Sequence, residues 1–211
     1  MNKGAAGKIV IISSPSGGGK TSICQGLLTE ERKSQGWGFS ISCTTRQKRQ
    51  GEQHGREYFF VTEKEFDKKA EEGFFAEHFP VHLYKYGTPK EQLDKVVKDG
   101  GVILLDVDVQ GAAKIRRKYP DAISIFVLPP SKESLKERLQ RRGTETPQQL
   151  DVRYNIARQE MNKYSDFEYT VINEKLESAI SEVLGIISGH PGSIKSRTEN
   201  ISKEQINTII S

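Results

Sequence analysis

The chain has 211 residues, 35% of them hydrophobic and 28% charged, with a formal net charge of +4. That length suits one α/β domain with insertions and a real core. The charge falls well short of a nucleic-acid-binding signature, and no apolar run could span a bilayer. Cys24 and Cys43 lack metal-ligand spacing, His54, His78, His82 and His190 form no metal pattern and read as surface or loop residues, and the start from Met1 to Gly7 is too polar for a signal peptide. A cytoplasmic, reduced protein is expected, with neither nucleic acid nor membrane as partner.

Lys8 to Ser13 reads as a buried strand. Directly after it comes Ser14-Pro15-Ser16-Gly17-Gly18-Gly19-Lys20-Thr21-Ser22, which fits the phosphate-loop pattern G-x-x-x-x-G-K-[ST] except at its first position, where Ser14 stands. Glycines leave backbone N–H groups free to curl around an anion, and the following helix turns its positive end toward it. In this pattern Lys20 reaches the β- and γ-phosphates and the Thr21 hydroxyl ligates Mg²⁺. The competing reading is an ordinary flexible turn. Strand, loop and amphipathic helix in the required order argue against it.

A helix is expected over Thr21 to Arg32, with Ile23, Leu27 and Leu28 on one face, then a strand over Phe39 to Thr44. From Arg46 to Thr88 the chain is rich in glycine, charge and aromatics, as an inserted subdomain would be. Tyr58 to Val61 and Phe74 to Glu77 read as short strands. Between them a helix opens at Thr62, with Glu65 closing a capping box and Val61 and Phe66 forming its staple. Thr88-Pro89-Lys90-Glu91 has the same form, with a first-turn proline, and predicts a helix to about Lys98.

Val102 to Leu105 is a continuous apolar run, as a doubly covered parallel strand should be. It ends in Asp106, which beside a phosphate loop fits a Mg²⁺ ligand. Asp108 shares its strand parity and is expected to point the same way; the alternative is a turn over Asp106 to Gln110. Ile123 to Leu128 is another strand. Ser131 caps a charged helix to Arg142, and after a polar break a second one runs to about Tyr164. Tyr169 to Ile172 is the last strand, and Asn173 is expected to cap the last core helix. The tail from Gly189 ends in a short helix signalled by Ser202 to Gln205, with Ile201 and Ile206 as staple. Alternating strands and helices imply a parallel sheet covered on both faces.

Arginines recur at Arg46 and Arg49, at Arg138, Arg141 and Arg142, and at Arg153. Guanidinium forks hold phosphate oxygens in pairs. Each alone reads as part of a solvated face, and Arg141 is best read so. As a set they suit a site that holds two anions.

With these motifs in view, the chain resembles the guanylate kinases, enzymes that move a phosphoryl group from ATP to GMP. The likeness runs from about Lys8 to Ser188. It is carried by the phosphate loop, Ser42-Cys43-Thr44-Thr45-Arg46 with Arg49-Gln50-Gly51-Glu52, Tyr86-Gly87-Thr88, Leu105 to Gly111, Pro129-Pro130-Ser131 and Val171-Ile172-Asn173. It implies an α/β fold of the P-loop NTPase type: a parallel five-stranded sheet with helices on both faces, a small mixed β/α GMP-binding insertion and a helical lid. The core would comprise residues 1–40, 92–131 and 163–188, the insertion 41–91, the lid 132–162, and a C-terminal extension 189–211. ATP would lie on Ser14 to Ser22, with Asn173 near its adenine. The GMP phosphate would sit among Arg46, Arg49, Tyr58 and Tyr86, and the guanine among Ser42, Glu77, Thr88 and Asp108. Lys20, Arg46, Arg138, Arg142 and Arg153 would act on the transferred group, and Thr21 and Asp106 would hold Mg²⁺.

The implied base makes chemical sense. A carboxylate such as Glu77 only accepts, and guanine offers it two donors, N1–H and the 2-amino group, where adenine offers a lone pair. Two alternatives are an inactive guanylate-kinase-like module that binds phosphopeptides and a kinase for another phosphorylated acceptor. Lys20, Thr21, Asp106 and the lid arginines speak against the first, and Glu77 beside Tyr86 and Thr88 against the second. The sequence leaves monomer or homo-oligomer open.

Overall fold

The computed structural model describes residues 6–81, 83–140 and 147–210. In chain order the elements are β1 (Lys8–Ser13), α1 (Lys20–Leu27), α2 (Glu30–Ser34), β2 (Trp37–Phe39), β3 (Cys43–Thr44), β4 (Phe59–Phe60), α3 (Glu63–Glu71), β5 (Phe75–Val81), β6 (Tyr84–Pro89), α4 (Lys90–Asp99), β7 (Val102–Asp106), α5 (Val109–Lys118), β8 (Ile123–Leu128), α6 (Lys132–Gln140), α7 (Pro147–Met161), β9 (Tyr169–Ile172), α8 (Leu176–Ser188) and α9 (Lys203–Ile210). A 3₁₀ turn, Asn162–Asp166, joins α7 to the approach of β9.

Five strands form one parallel sheet in the order β2-β7-β1-β8-β9. Alternation along each strand sorts its side chains between two cores. Ile9, Ile11, Ile103, Leu105, Phe126 and Leu128 face one side, packed with Leu93, Ile115, Leu135 and Met161. Val10, Ile12, Leu104, Ile125, Val127 and Val171 face the other, against Ile23, Leu27, Val183 and Ile186. Both faces are therefore covered, as the apolar runs require. The tail also joins the first core, through Ile206, Ile201 and Ile210.

Register decides where chemistry collects. Ile12 lies opposite Asp106 across the β1–β7 pair. The Asp106 carboxylate therefore emerges level with the loop that follows β1, at the carboxyl edge where open α/β sheets bind ligands.

The insertion builds a second, mixed sheet in the order β4-β3-β6-β5. Cys43, Phe66 and Phe75 are its small core, with Phe59, Val61, Ala70 and Phe74 packed around them. Thr62 caps α3 as expected: its side chain accepts from Glu65 N–H while the Glu65 carboxylate accepts from Thr62 N–H. Such a cap stabilises by about 1 kcal/mol. β5 and β6 form a hairpin with a register shift between Phe75 and Glu77, after which Glu77 pairs directly with Thr88. Bulges re-aim side chains, and this one sets Glu77 across from the Thr88 hydroxyl.

The structure departs from the sequence expectations in five places. The helix expected over Thr21 to Arg32 is two helices, because Thr29 accepts from Arg32 N–H and starts α2 anew. The strand expected over Phe39 to Thr44 is split between the two sheets, β2 in the parallel sheet and β3 in the mixed one. Thr88 does not cap α4: it lies in β6, and Pro89 takes the cap position with no side-chain bond. Asn173 does not cap α8, which starts after Lys175. Asp108 does not continue β7 in parity with Asp106. It lies beyond the strand and caps α5, its carboxylate accepting from Gly111 N–H at 2.8 Å.

Candidate active site

The loop between β1 and α1 has the backbone that its glycines permit. Gly17 and Gly19 hold φ of 87° and 97°, a left-handed region open to few other residues. A Cβ on Gly19 would fall 2.3 Å from Asn173 Nδ2, so glycine there also admits the neighbour that closes the loop. Asn173 donates to the Gly18 carbonyl at 3.0 Å. Ser14 fits the first loop position while buried, its hydroxyl donating to the Pro15 carbonyl at 2.9 Å.

At the mouth of the loop three side chains meet. The Thr21 hydroxyl donates to Asp106 Oδ2 at 2.7 Å, and Lys20 Nζ lies 3.4 Å from Asp106 Oδ1. One hydroxyl and one carboxylate are hard oxygen donors. Mg²⁺ characteristically takes one or two such groups and fills its remaining positions with water and phosphate oxygens, so this pair fits it.

Clefts open on both sides of this point. One, of about 420 Å³, is lined by Ser14, Gly17, Lys20 and Thr21 of the loop together with Arg138 and Asn173. The other, of about 400 Å³, is lined by Cys24, Phe39, Ser42, Tyr58 and Asp106. Thr21 lines both. The two clefts thus meet at Thr21, whose hydroxyl bonds the Asp106 carboxylate on the side of the second.

The second cleft leads to the insertion. Arg46 is buried and clamped by Glu52 through two parallel bonds of 3.0 and 2.8 Å. Its guanidinium lies 5.5 Å over the Tyr58 ring and 5.7 Å over Phe60. Tyr58 meets Tyr86 edge-on at 5.9 Å. The Arg46 bond holds the Glu52 carboxyl below the usual range. Burial, with Asp106 nearby, pushes the Tyr58 hydroxyl up to about 12. Arg49 gives only its backbone N–H to Glu52, at 2.8 Å, and its side chain is exposed. The two arginines expected as a pair therefore differ: one is fixed, the other solvated.

Glu77 is 5% exposed. The Thr88 hydroxyl donates to its Oε1 at 2.6 Å, while Oε2 is buried without a hydrogen-bond partner among the described residues. Burial raises the Glu77 carboxyl above the ordinary range, the Thr88 bond opposes the rise, and Asp108 adds to it. Burial also raises Asp108. A buried polar oxygen without a partner is costly and marks a place where a donor belongs.

The helices after β8 reach back over the loop. Arg138 on α6 donates to the Asn173 carbonyl at 2.8 Å and the Gly18 carbonyl at 3.4 Å. Arg153 on α7 donates to the Ser16 hydroxyl at 2.8 Å, and Ser16 N–H donates to Glu160 at 3.1 Å. Arg142, expected beside them, lies outside the described residues.

A family model described as guanylate kinase matches residues 6–190. The chain belongs to the guanylate kinase family. It is 41% identical to a guanylate kinase of Caldanaerobacter subterraneus subsp. tengcongensis over 86% of each chain. It is 39% identical to one of Thermotoga maritima over 93% of this chain and 94% of the other. A crystal structure of guanylate kinase from Anaplasma phagocytophilum superposes with a TM-score of 0.72 at 28% identity, covering 92% of this chain and 91% of that one.

Around this guanylate-kinase frame the structure gathers Lys20, Thr21, Asp106, Arg138, Asn173 and Arg153 at the loop, and Arg46, Tyr58 and Tyr86 in the insertion. Glu77, Thr88 and Asp108 form a neighbouring group. Two residues escaped the sequence reading of the site. Glu52 appeared only within a motif, and its place six residues after Arg46 was the available signal. Glu160 left no signal, because its partner is 144 residues away.

Proposed function

We propose that this guanylate kinase transfers the γ-phosphoryl group of Mg²⁺-bound ATP to GMP, yielding ADP and GDP, in the cytoplasm. The observation that carries the choice of acceptor is the buried Glu77 carboxylate, with one oxygen engaged by Thr88 and the other open to a donor. Guanine supplies two adjacent donors to such a group. Adenine would set its N1 lone pair against it, a mismatch that can reject an analogue by about 10⁴-fold. Both cysteines are free thiols, which agrees with a reducing compartment. Among the described residues, no helix is long and apolar enough to cross a membrane.

In this reading ATP lies on the phosphate loop, with its γ-phosphoryl group where the two clefts meet. Lys20 stabilises charge on the transferred group. Thr21 and Asp106 would hold Mg²⁺, which when bound neutralises charge on the phosphate oxygens. Arg46, Arg49, Tyr58 and Tyr86 take the acceptor phosphate, and Ser42, Glu77, Thr88 and Asp108 read its base. Arg138, Arg142 and Arg153 approach from the lid and exclude water as they close. The acceptor is a phosphate monoester with a second pKa of about 6, already mostly dianionic at neutral pH. No general base is needed; positioning and fixed positive charge do the catalytic work.

A coupled assay of ADP release, run with ATP, Mg²⁺ and each nucleoside monophosphate in turn, tests the proposal. Turnover with GMP far above that with AMP, CMP or UMP is expected. Equal turnover with AMP would refute the assigned role of Glu77, and no turnover with any of them would refute the transfer itself.

A further inference from the structure

Helix α7 meets the phosphate loop at two points, both on Ser16. Arg153 donates to the Ser16 hydroxyl at 2.8 Å, and the Glu160 carboxylate accepts from Ser16 N–H at 3.1 Å. Seven residues, or about two helical turns, separate Arg153 from Glu160, so both project from one face. The remaining pattern agrees. Ala157 and Met161 are fully buried between and beside them, while Val152, Asn155, Ile156 and Gln159 are exposed.

Ser16 N–H lies in a half-buried loop. A carboxylate satisfies it with a charge-assisted bond, stronger than a neutral one. Glu160 is the second-last residue of α7, two residues before the 3₁₀ segment that leads into β9. The contact therefore fixes the base of α7, and Arg153 sits two turns out from that fixed point.

We propose that Glu160 is a positioning residue for phosphoryl transfer: it anchors α7 to the phosphate loop at Ser16 N–H and thereby holds Arg153 at the loop. The inference rests on the transfer reading above. The Glu160 bond is to the phosphate loop at Ser16, which Arg153 also holds, so its effect runs through Arg153 and the loop. Arg46, Tyr58, Tyr86 and Glu77 all lie in the insertion and keep their geometry without it. Loss of the anchor lowers kcat and leaves KM for GMP nearly unchanged. It also admits water, so ATP hydrolysis rises relative to transfer.

The test compares Glu160→Ala and Glu160→Gln with the wild-type protein. GDP formation, phosphate release and hydrogen exchange at the Ser16 amide are measured, and melting curves check folding. Displacing a positioned group can cost about 100-fold, so Glu160→Ala is expected to lower kcat by about 10- to 100-fold. Its KM for GMP stays within about twofold, the sign of an interaction used in the transition state rather than in acceptor binding. Its Ser16 amide exchanges faster. Glu160→Gln keeps an acceptor oxygen and falls nearer to wild type in both kcat and exchange. Wild-type kcat in folded Glu160→Ala, equal kcat in the two variants, or unchanged Ser16 exchange would overturn the proposal. If Glu160→Ala does not fold, Glu160→Asp replaces it, with the charge kept and the reach shortened, and wild-type kcat there overturns the proposal. A wild-type protein that makes no GDP would refute the transfer reading, whereas exchange at Ser16 would still report on the anchor.

Discussion

Glu77→Gln separates base recognition from chemistry. The Thr88 hydroxyl donates to Oε1 at 2.6 Å, so it orients the substituted amide. The amide oxygen stays at Thr88, and the NH₂ group falls where Oε2 was. That position is buried and has no partner among the described residues. In the proposed complex it faces a guanine N–H, and the substitution sets donor against donor. Losing a hydrogen bond to a charged group costs about 1.5–3 kcal/mol, which corresponds to about 10- to 150-fold in kcat/KM for GMP. AMP gains relatively, because the new donor can meet adenine N1. The assay is kcat/KM for both monophosphates, in wild type and variant, at saturating Mg²⁺ and ATP. A GMP-to-AMP ratio unchanged by the substitution would refute the reasoning, because the carboxylate would then not read the base.

Lys20→Ala should lower kcat by about 10²–10³-fold, the scale of one preorganised electrostatic contact, while the melting temperature holds because Asp106 keeps its bond from Thr21; near-wild-type turnover in the folded variant would contradict this. Glu52→Gln removes one of the two parallel bonds to Arg46, and KM for GMP should rise by about tenfold, the equivalent of one net hydrogen bond, with ATP binding unchanged in a direct titration. The stability of the ligand-free protein should also depend on Glu77. Its folded-state carboxyl lies above the ordinary value of 4.5, so between the two values the native state binds more protons than the unfolded one, and stability falls as pH rises through that window. Glu77→Gln should flatten that part of the melting-temperature profile; superimposable profiles would show that the burial cost is absent.

Much of the fold was legible because it is local. The strands β8 and β9 have the bounds that their β-branched and aromatic residues predict. The Thr62–Glu65 box is complete within four residues, and the phosphate loop announces itself by glycine, lysine and threonine in fixed order. Two of the errors share one cause: a residue with a plausible local role was used at longer range. Thr88 looks like a cap, but its hydroxyl serves Glu77 across the hairpin. Asn173 looks like a cap, but it reaches the Gly18 carbonyl, 155 residues away. The apolar register of Leu27 and Leu28 hid the new helix start at Thr29. The segment from Phe39 to Thr44 reads as one strand because alternation does not say to which sheet a residue belongs. Asp106 was legible beside the loop. Asp108 was not, since β7 ends at Asp106 and the chain turns to start α5.

The same distinction applies to the candidate site. The phosphate loop and Asp106 were legible as chemistry from residue types and order alone. The proposed GMP-binding set rests on resemblance to a family, and the hairpin register adds that Glu77 and Thr88 are paired. Glu52 bonds the Arg46 guanidinium and Glu160 accepts from Ser16 N–H, and supporting contacts of this kind carry no motif of their own.

The central claim is transfer to GMP by a site that reads guanine, and a competition measures it most directly. The protein is incubated with Mg²⁺, ATP labelled at the γ-phosphorus, and equal concentrations of GMP and AMP, and the labelled products are separated. The account predicts label in the β-phosphate of GDP, with little in ADP or inorganic phosphate. Label divided evenly between GDP and ADP, or released mainly as inorganic phosphate, would contradict it.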